Sequence, residues 1–238
     1  MSDLGFHFSD DGDSNLPAVV FLHAFPLHGG MWSRQCAAVA PVARPITIDF
    51  RGFGKSPVPS APFLLEHLVD DVLALLDHLR IERACLCGLS LGGYVALRTI
   101  ERAPERVAGL LLADTQAAAD TNAAKLKRAD GIRQIQSQGV APYVDAFSKN
   151  ALAPETLAGK PEIVAEARRL MLEASPAALI HGLVALATRT DTTDALGSIT
   201  VPTRVLVGDE DAITPPEVAR KLASSIAQAD VHEVLRAG

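Results

Sequence analysis

Ser90 has the setting that most directly suggests chemistry. It stands in Gly88-Leu89-Ser90-Leu91-Gly92-Gly93, after an apolar strand pattern ending near Cys87 and before a helical pattern starting near Leu91. A serine on a sharp strand-to-helix turn has strained backbone angles, so its neighbours must be small. Glycines two residues before and two after meet that need. The turn also sets the hydroxyl at a helix N-terminus, where free N–H groups and the helix dipole favour developing negative charge. That is the setting of a nucleophile for acyl transfer. A glycine-rich structural turn is the plainer alternative. A dinucleotide loop fits worse, because G-x-G-x-x-G is absent from this segment. No His, Asp or Glu cluster has metal-ligand spacing, so neither a metal nor a cofactor is expected. Cys85 and Cys87 are two apart in an apolar strand and face the same way. Packing is the simpler reading than a C-x-C metal or redox site, and Cys36, on a predicted helix, reads the same way.

These residues need a frame. Val19–Leu22, Ile46–Ile48, Ala84–Cys87, Val107–Ala113 and Arg204–Val207 read as buried strands in short apolar runs, and Val231–Leu235 reads as one more strand. Continuous rather than alternating runs fit a parallel sheet covered on both faces. Leu65, Leu68, Val69, Val72, Leu73, Leu76 and Leu79 follow the spacing of an amphipathic helix. Leu91–Ala103 is a second, ended before Pro104. Thr214-Pro215-Pro216-Glu217 predicts a third, with Thr214 as its N-cap. Strand alternating with helix implies an α/β fold with a mostly parallel sheet and helices on both faces. The alternation breaks between about Thr115 and Leu196, an Ala-rich stretch of helical pattern punctuated by Gly139, Pro142, Pro154, Pro161 and Pro176. An inserted helical cap over residues 115–196 is expected, on a core formed by 1–114 and 197–238. It would lie over the C-terminal edge of the sheet, where open α/β sheets bind ligands.

Composition narrows the class. The chain has 238 residues, 48% hydrophobic and 21% charged, enough for one capped domain with a substantial core and too apolar for a disordered polyelectrolyte. A formal net charge of -6 argues against a nucleic-acid binder. The amino-terminal stretch Met1–Asp13 has no basic segment followed by an apolar one, and no apolar run approaches the roughly 20 residues of a membrane span. Three cysteines do not suit a secreted disulfide framework. A cytoplasmic protein is therefore expected, with a small molecule as partner and neither nucleic acid nor membrane.

Four motifs in order resemble the α/β-hydrolase family. They are Leu22-His23-Ala24-Phe25-Pro26-Leu27 with Trp32 downstream; Asp49-Phe50-Arg51-Gly52-Phe53-Gly54-Lys55-Ser56; the Gly88–Gly92 elbow; and Val201-Pro202-Thr203 through Gly208-Asp209-Glu210-Asp211 to Thr214-Pro215. The resemblance covers nearly the whole chain, with Ala24 standing where glycine is usual. It implies Ser90 as nucleophile, an oxyanion hole from the backbone N–H groups of Leu91 and Phe25, and an acid that orients a histidine. Asp211 matches the position of the acid best, Asp114 is the alternative, and Asp209 ranks third. Asp49 and Arg51 resemble a structural turn. His23, Leu27, Trp32 and Tyr94 are expected to line the substrate pocket, with Met31 and Tyr143 as further candidates.

The same resemblance places the histidine base directly after the Ala237-Gly238 end of the chain, followed by a final helix over one sheet face. Of the histidines present, His28 is the nearest substitute and His181 could face substrate. His232 lies within the last strand pattern rather than at its end. The expectation is thus that the natural protein continues past Gly238, that the 238-residue chain is nearly inactive, and that it self-associates through an uncovered sheet face. Segments such as Leu112–Gln116 and Gly208–Pro216 resemble 3-oxoadipate enol-lactonase-like small esterases. The implied function is a serine hydrolase acting on a small carboxylic ester or lactone. A cofactor-free perhydrolase, or a ligand-binding or catalytically impaired hydrolase-like protein, is the alternative. A haloalkane dehalogenase would carry Asp in place of Ser90.

Overall fold

The computed structural model describes residues 4–238; the first three residues of the amino-terminal stretch lie outside it. Strands β1 (Phe8–Asp10), β2 (Ala18–Leu22), β3 (Arg44–Ile48), β4 (Ala84–Leu89), β5 (Val107–Ala113), β6 (Thr203–Gly208) and β7 (Ala229–Val234) form one sheet. Its order is β1-β3-β2-β4-β5-β6-β7. β1 is antiparallel to β3, and every other pairing is parallel. The core helices are α1 (Ser33–Val39), α2 (Leu65–His78) and α3 (Leu91–Arg102). Between β5 and β6 come α4 (Asn122–Gln138), α5 (Val140–Ala151), α6 (Pro154–Gly159), α7 (Pro161–Leu172) and α8 (Pro176–Ala187); α9 (Pro216–Ser224) precedes β7.

The sheet has two unequal faces. Val20, Leu22, Ile46, Ile48, Leu86, Leu112, Val205 and Val207 are almost fully buried against the apolar stripes of α2, α3 and α9. The opposite face carries α1 and a smaller cluster of Phe21, Trp32 and Cys87. Beside that cluster lies a groove of about 680 Å³ lined by Val19, Cys85, Leu111, Leu206 and Val234. The parallel strands are apolar because both faces are largely covered, which is why they read as continuous runs. No single described helix is long and apolar enough to cross a membrane.

Local chemistry sets the boundaries of the cap helices. Thr121 Oγ1 accepts the Ala124 N–H (3.2 Å) to start α4. Ser175 Oγ accepts the Ala178 N–H (3.2 Å) to start α8, with Pro176 at its first position. The expected cap at Thr214 is a correction: α9 begins at Pro216 after Pro215, with no side-chain cap bond. Thr214 donates its hydroxyl to Asp211 instead (2.6 Å). Pro215 and Pro216 have no N–H to give the hydroxyl oxygen, so what the hydroxyl does here is donate to the carboxylate.

Two chain crossings join the cap region to the core, at residues 115–121 and 188–193, and they are tied together. Thr192 N–H donates to Ala117 O (3.0 Å), and Ala119 N–H donates to an Asp191 carboxylate oxygen (3.0 Å). The buried guanidinium of Arg189 pairs with Asp120, donates to Ala118 O (2.9 Å) and lies 4.3 Å over the Tyr94 ring.

Candidate active site

Parallel strands point their C-terminal ends to one edge, and the strand order reverses between β2 and β4. Leu22 sits opposite Gly88 in the register, so the loop after β2 and the turn after β4 open side by side at this switch point. Leu89 pairs with Ala113, which brings Asp114 alongside, and β6 delivers Gly208 and the loop to Asp211.

Ser90 holds φ 51° and ψ -108°. That is the positive-φ region non-glycine residues rarely occupy. The surroundings enforce it. The Ser90 N–H donates to Ala113 O (2.9 Å), and its carbonyl accepts from Tyr94 N (3.1 Å) and Thr115 Oγ1 (3.0 Å). A Cβ on Gly92 would stand 2.0 Å from Leu22 O, and one on Gly88 would stand 2.3 Å from Gly92 O. The two glycines are what let α3 press against β2 and the elbow close. Leu91 is the first residue of α3, so its N–H has no intrahelical acceptor.

Ser90 lines a cavity of about 200 Å³ with Ala24, Phe25, Leu27, Met31 and Leu89 on the core side. Phe147, Ala151 and Leu152 of the α5 end, and Ala167 and Met171 of α7, close it from the cap. Asp114, Asp211, Ile213, Thr214 and Gly238 complete the wall. The structure thus brings Ser90, Asp211, Asp114, Phe25 and Leu27 to one cavity.

Asp211 is buried and strongly hydrogen-bonded. Its Oδ1 accepts from Ile213 N (2.7 Å) and Thr214 N (2.9 Å), and its Oδ2 accepts the Thr214 hydroxyl (2.6 Å). Asp114 accepts one backbone donor, Gly208 N (3.2 Å). Burial, and then the neighbouring Asp211 charge, push its carboxyl up to about 6. Asp209 is spent on the turn, accepting from Ala237 N (3.3 Å).

Three expected pocket residues do not line the cavity. His23 is fully buried below it: Nδ1 donates to Ala24 O (2.9 Å) and Nε2 accepts Phe50 N–H (2.9 Å). Burial lowers its pKa to about 4, so it is a neutral structural bridge. Trp32 packs on Phe21 (5.3 Å between ring centroids) and lines the groove on the opposite sheet face. Tyr94 faces Arg189 rather than Ser90. Tyr143 stands one layer back, against Phe25 and Phe147. No histidine lines the cavity among the described residues. His28 Nε2 lies 3.0 Å from Glu173, His181 is buried edge-on to Phe63, and His232 is exposed on β7. Among the described residues no group of His, Cys, Asp or Glu is arranged to hold a metal.

The profile of the alpha/beta hydrolase fold family matches residues 17–238. The chain belongs to that family. This α/β hydrolase is 29% identical to the 3-oxoadipate enol-lactonase 2 of Acinetobacter baylyi over 235 residues, covering 99% of this chain and 86% of that one. Among solved structures it superimposes on a thermophilic esterase from Thermogutta terrifontis, solved with malate bound, at a TM-score of 0.93. That pair shares 33% identity and covers 98% and 85% of the two chains. The enol-lactonase from Burkholderia xenovorans LB400 follows at 0.90 and 27%, covering 98% and 88%.

Sequence reasoning missed the cap residues that face Ser90. Phe147, Leu152 and Met171 sit on helices with ordinary amphipathic patterns, and nothing local marks which apolar side chain looks inward. Thr214 had a signal: it is three residues after Asp211, the offset at which an Asp side chain accepts a following backbone N–H.

Proposed function

We propose that this α/β hydrolase cleaves a small, mainly hydrophobic carboxylic ester or lactone through an acyl-enzyme on Ser90. The observation that carries the reading is the strained Ser90 at the α3 N-terminus, opening into a largely apolar cavity that also holds Asp211. The substrate carbonyl would sit over the hydroxyl, with its apolar part against Leu27, Met31, Phe147 and Met171. Attack by Oγ builds charge on the carbonyl oxygen, which the N–H groups of Leu91 and Phe25 and the α3 dipole would stabilise. Collapse expels the alcohol, or opens the lactone, and water then releases the acid. The esterase and enol-lactonase relatives support this chemistry.

The reading needs a base oriented by Asp211, and among the described residues no histidine lines the cavity to supply it. Gly238 itself lines the cavity, so a residue attached to it starts beside Asp211 and Ser90. The test is turnover of 4-nitrophenyl butyrate by the 238-residue chain, by the chain with histidine appended, and by its Ser90→Ala variant. A triad without its base loses about 10⁶ in kcat, retaining roughly 10³–10⁴ over water. A large gain on appending histidine, abolished by Ser90→Ala, is expected. Equal turnover with and without the histidine would overturn the need for a base at this corner of the cavity. Binding of esters with no Ser90-dependent turnover in either chain would favour a ligand-binding protein.

A further inference from the structure

We infer that Asp114 is a positioning residue that keeps a proton and donates a hydrogen bond to Asp211, so that the two carboxyls hold one negative charge between them. The inference rests on the reading of Asp211 as the acid of the site, but its geometry stands apart from Ser90. Asp114 follows β5 with φ 44°, an uncommon conformation for a side-chain-bearing residue. Its backbone is held there: the Asp114 N–H donates to Leu206 O (3.0 Å) while Oδ1 takes the Gly208 N–H (3.2 Å). Both bonds come from β6, the strand that delivers Asp211. Gly208 ties the two residues together, since its N–H goes to Asp114 and its carbonyl accepts the Asp211 N–H (3.2 Å), and both side chains line the same cavity wall, where Asp211 acts on the Asp114 carboxyl.

Two ionised carboxylates have only lone pairs to offer each other, so the contact is attractive only if one carries a proton. The donor count says which. Asp211 accepts three hydrogen bonds from its own loop, two from backbone N–H groups and one from Thr214. Asp114 accepts one, and a longer one. Donors favour the charged form, so the charge belongs on Asp211 and the proton on Asp114. The rest of the cavity supplies nothing to reverse this. The elbow offers Ser90, the loop after β2 offers apolar groups, and α5 and α7 offer apolar side chains. No Arg, Lys or His side chain lines it among the described residues. Burial acts in the same direction by raising the Asp114 carboxyl.

The role follows from the shared proton. Asp211 is gripped by its own loop on one side and by Asp114 on the other, which fixes the carboxylate that must orient a base. Loss of the proton sets two like charges side by side and removes the one donor that comes from another strand.

Carboxyl ¹³C NMR on the chain labelled in aspartate, titrated from pH 3 to 8, tests the assignment without needing turnover. One aspartate should titrate well above the ordinary value of about 3.9. Its signal should vanish in Asp114→Asn, and in Asp211→Asn it should fall by about one pH unit or more. No aspartate titrating above about 5 in the unsubstituted chain would overturn the inference. A high value that Asp211→Asn leaves unmoved would overturn it too, since burial alone would then hold the proton. Where turnover is measurable, Asp114→Asn can still donate to Asp211 and should exceed Asp114→Ala in kcat by about tenfold, with KM little changed. Equal loss in both variants argues for a space-filling role. If Ser90 proves unreactive, the proposed function fails while the titration still decides this point.

Discussion

Replacing Asp120 with alanine should destabilise the protein by about 3 kcal/mol, because it strands a charge at the junction of cap and core. The Asp120 and Arg189 side chains are only 3% and 2% exposed, so neither is solvated by water. Breaking a buried pair by removing one partner typically costs about 3–5 kcal/mol, since the other charge stays buried without compensation. The lower end applies here. Arg189 keeps the carbonyls of Ala118 (2.9 Å) and Leu186 (3.1 Å) and the face of Tyr94, while Arg128, the second partner of Asp120, is free to turn to water. Urea unfolding followed both by the fluorescence of Trp32 and by far-UV circular dichroism measures the loss. With a urea slope of about 2–3 kcal/mol/M, the midpoint should fall by roughly 1 M. Trp32 lies in the core and most cap signal is helical, so coincident transitions show that core and cap unfold together. The double variant Asp120→Leu with Arg189→Met removes both charges and should lose less than the single one. A midpoint within about 0.3 M of the parent for Asp120→Ala, or a double variant worse than the single, would refute the reasoning.

Further outcomes follow from the elbow and the cavity. Gly92→Ala puts a methyl group 2.0 Å from Leu22 O, so β2 and α3 must separate; a loss of about 3 kcal/mol or more is expected in the same urea assay, and less than 1 would contradict the packing account. Asp114 has a folded-state pKa of about 6, above its ordinary 3.8, so its contribution to stability is complete below pH 4 and is lost as pH rises through 6. Asp114→Asn removes that dependence and should gain about 2 kcal/mol on the parent between pH 4 and pH 8, after allowing for the residue's partial exposure; a parallel pair of stability–pH curves contradicts this. With carboxylates and no cation on the cavity wall, 4-nitrophenyl butyrate should be preferred over the mono-4-nitrophenyl ester of succinate by about tenfold or more in kcat/KM, and equal values would show that the wall's charge is not felt.

The fold was legible where physics leaves few options. Strands β2 to β6 carry apolar runs because a covered parallel sheet buries both faces, whereas β7, at the edge, alternates half-buried and exposed residues; Gly88 and Gly92 announce Ser90 because a Cβ at either site has no room. β1 leaves no signal in the sequence because Phe8-Ser9-Asp10 is three half-buried residues on the sheet edge, too short for any period to register. The Thr214 hydroxyl suits a helix cap, but the two prolines after it have no N–H to give, and the hydroxyl donates to Asp211 three residues earlier. His23 and Trp32 lie in or beside the motif after β2, and Tyr94 just after the elbow, yet all three point away from Ser90. Each has a partner (Phe50 N–H, Phe21 and Arg189, respectively) that becomes visible only when distant strands are laid side by side. The cap side of the cavity was illegible for the same reason: amphipathic helices show which face is apolar, not which apolar side chain meets the nucleophile.

The central claim is that Ser90 is an activated nucleophile, and covalent labelling tests it most directly. The chain with histidine appended after Gly238 is treated with a fluorophosphonate, digested, and mapped by mass spectrometry. The account predicts a single adduct on Ser90, absent in Ser90→Ala and forming far more slowly without the histidine. No adduct on Ser90 in either chain, or an adduct on another serine that survives Ser90→Ala, would contradict it.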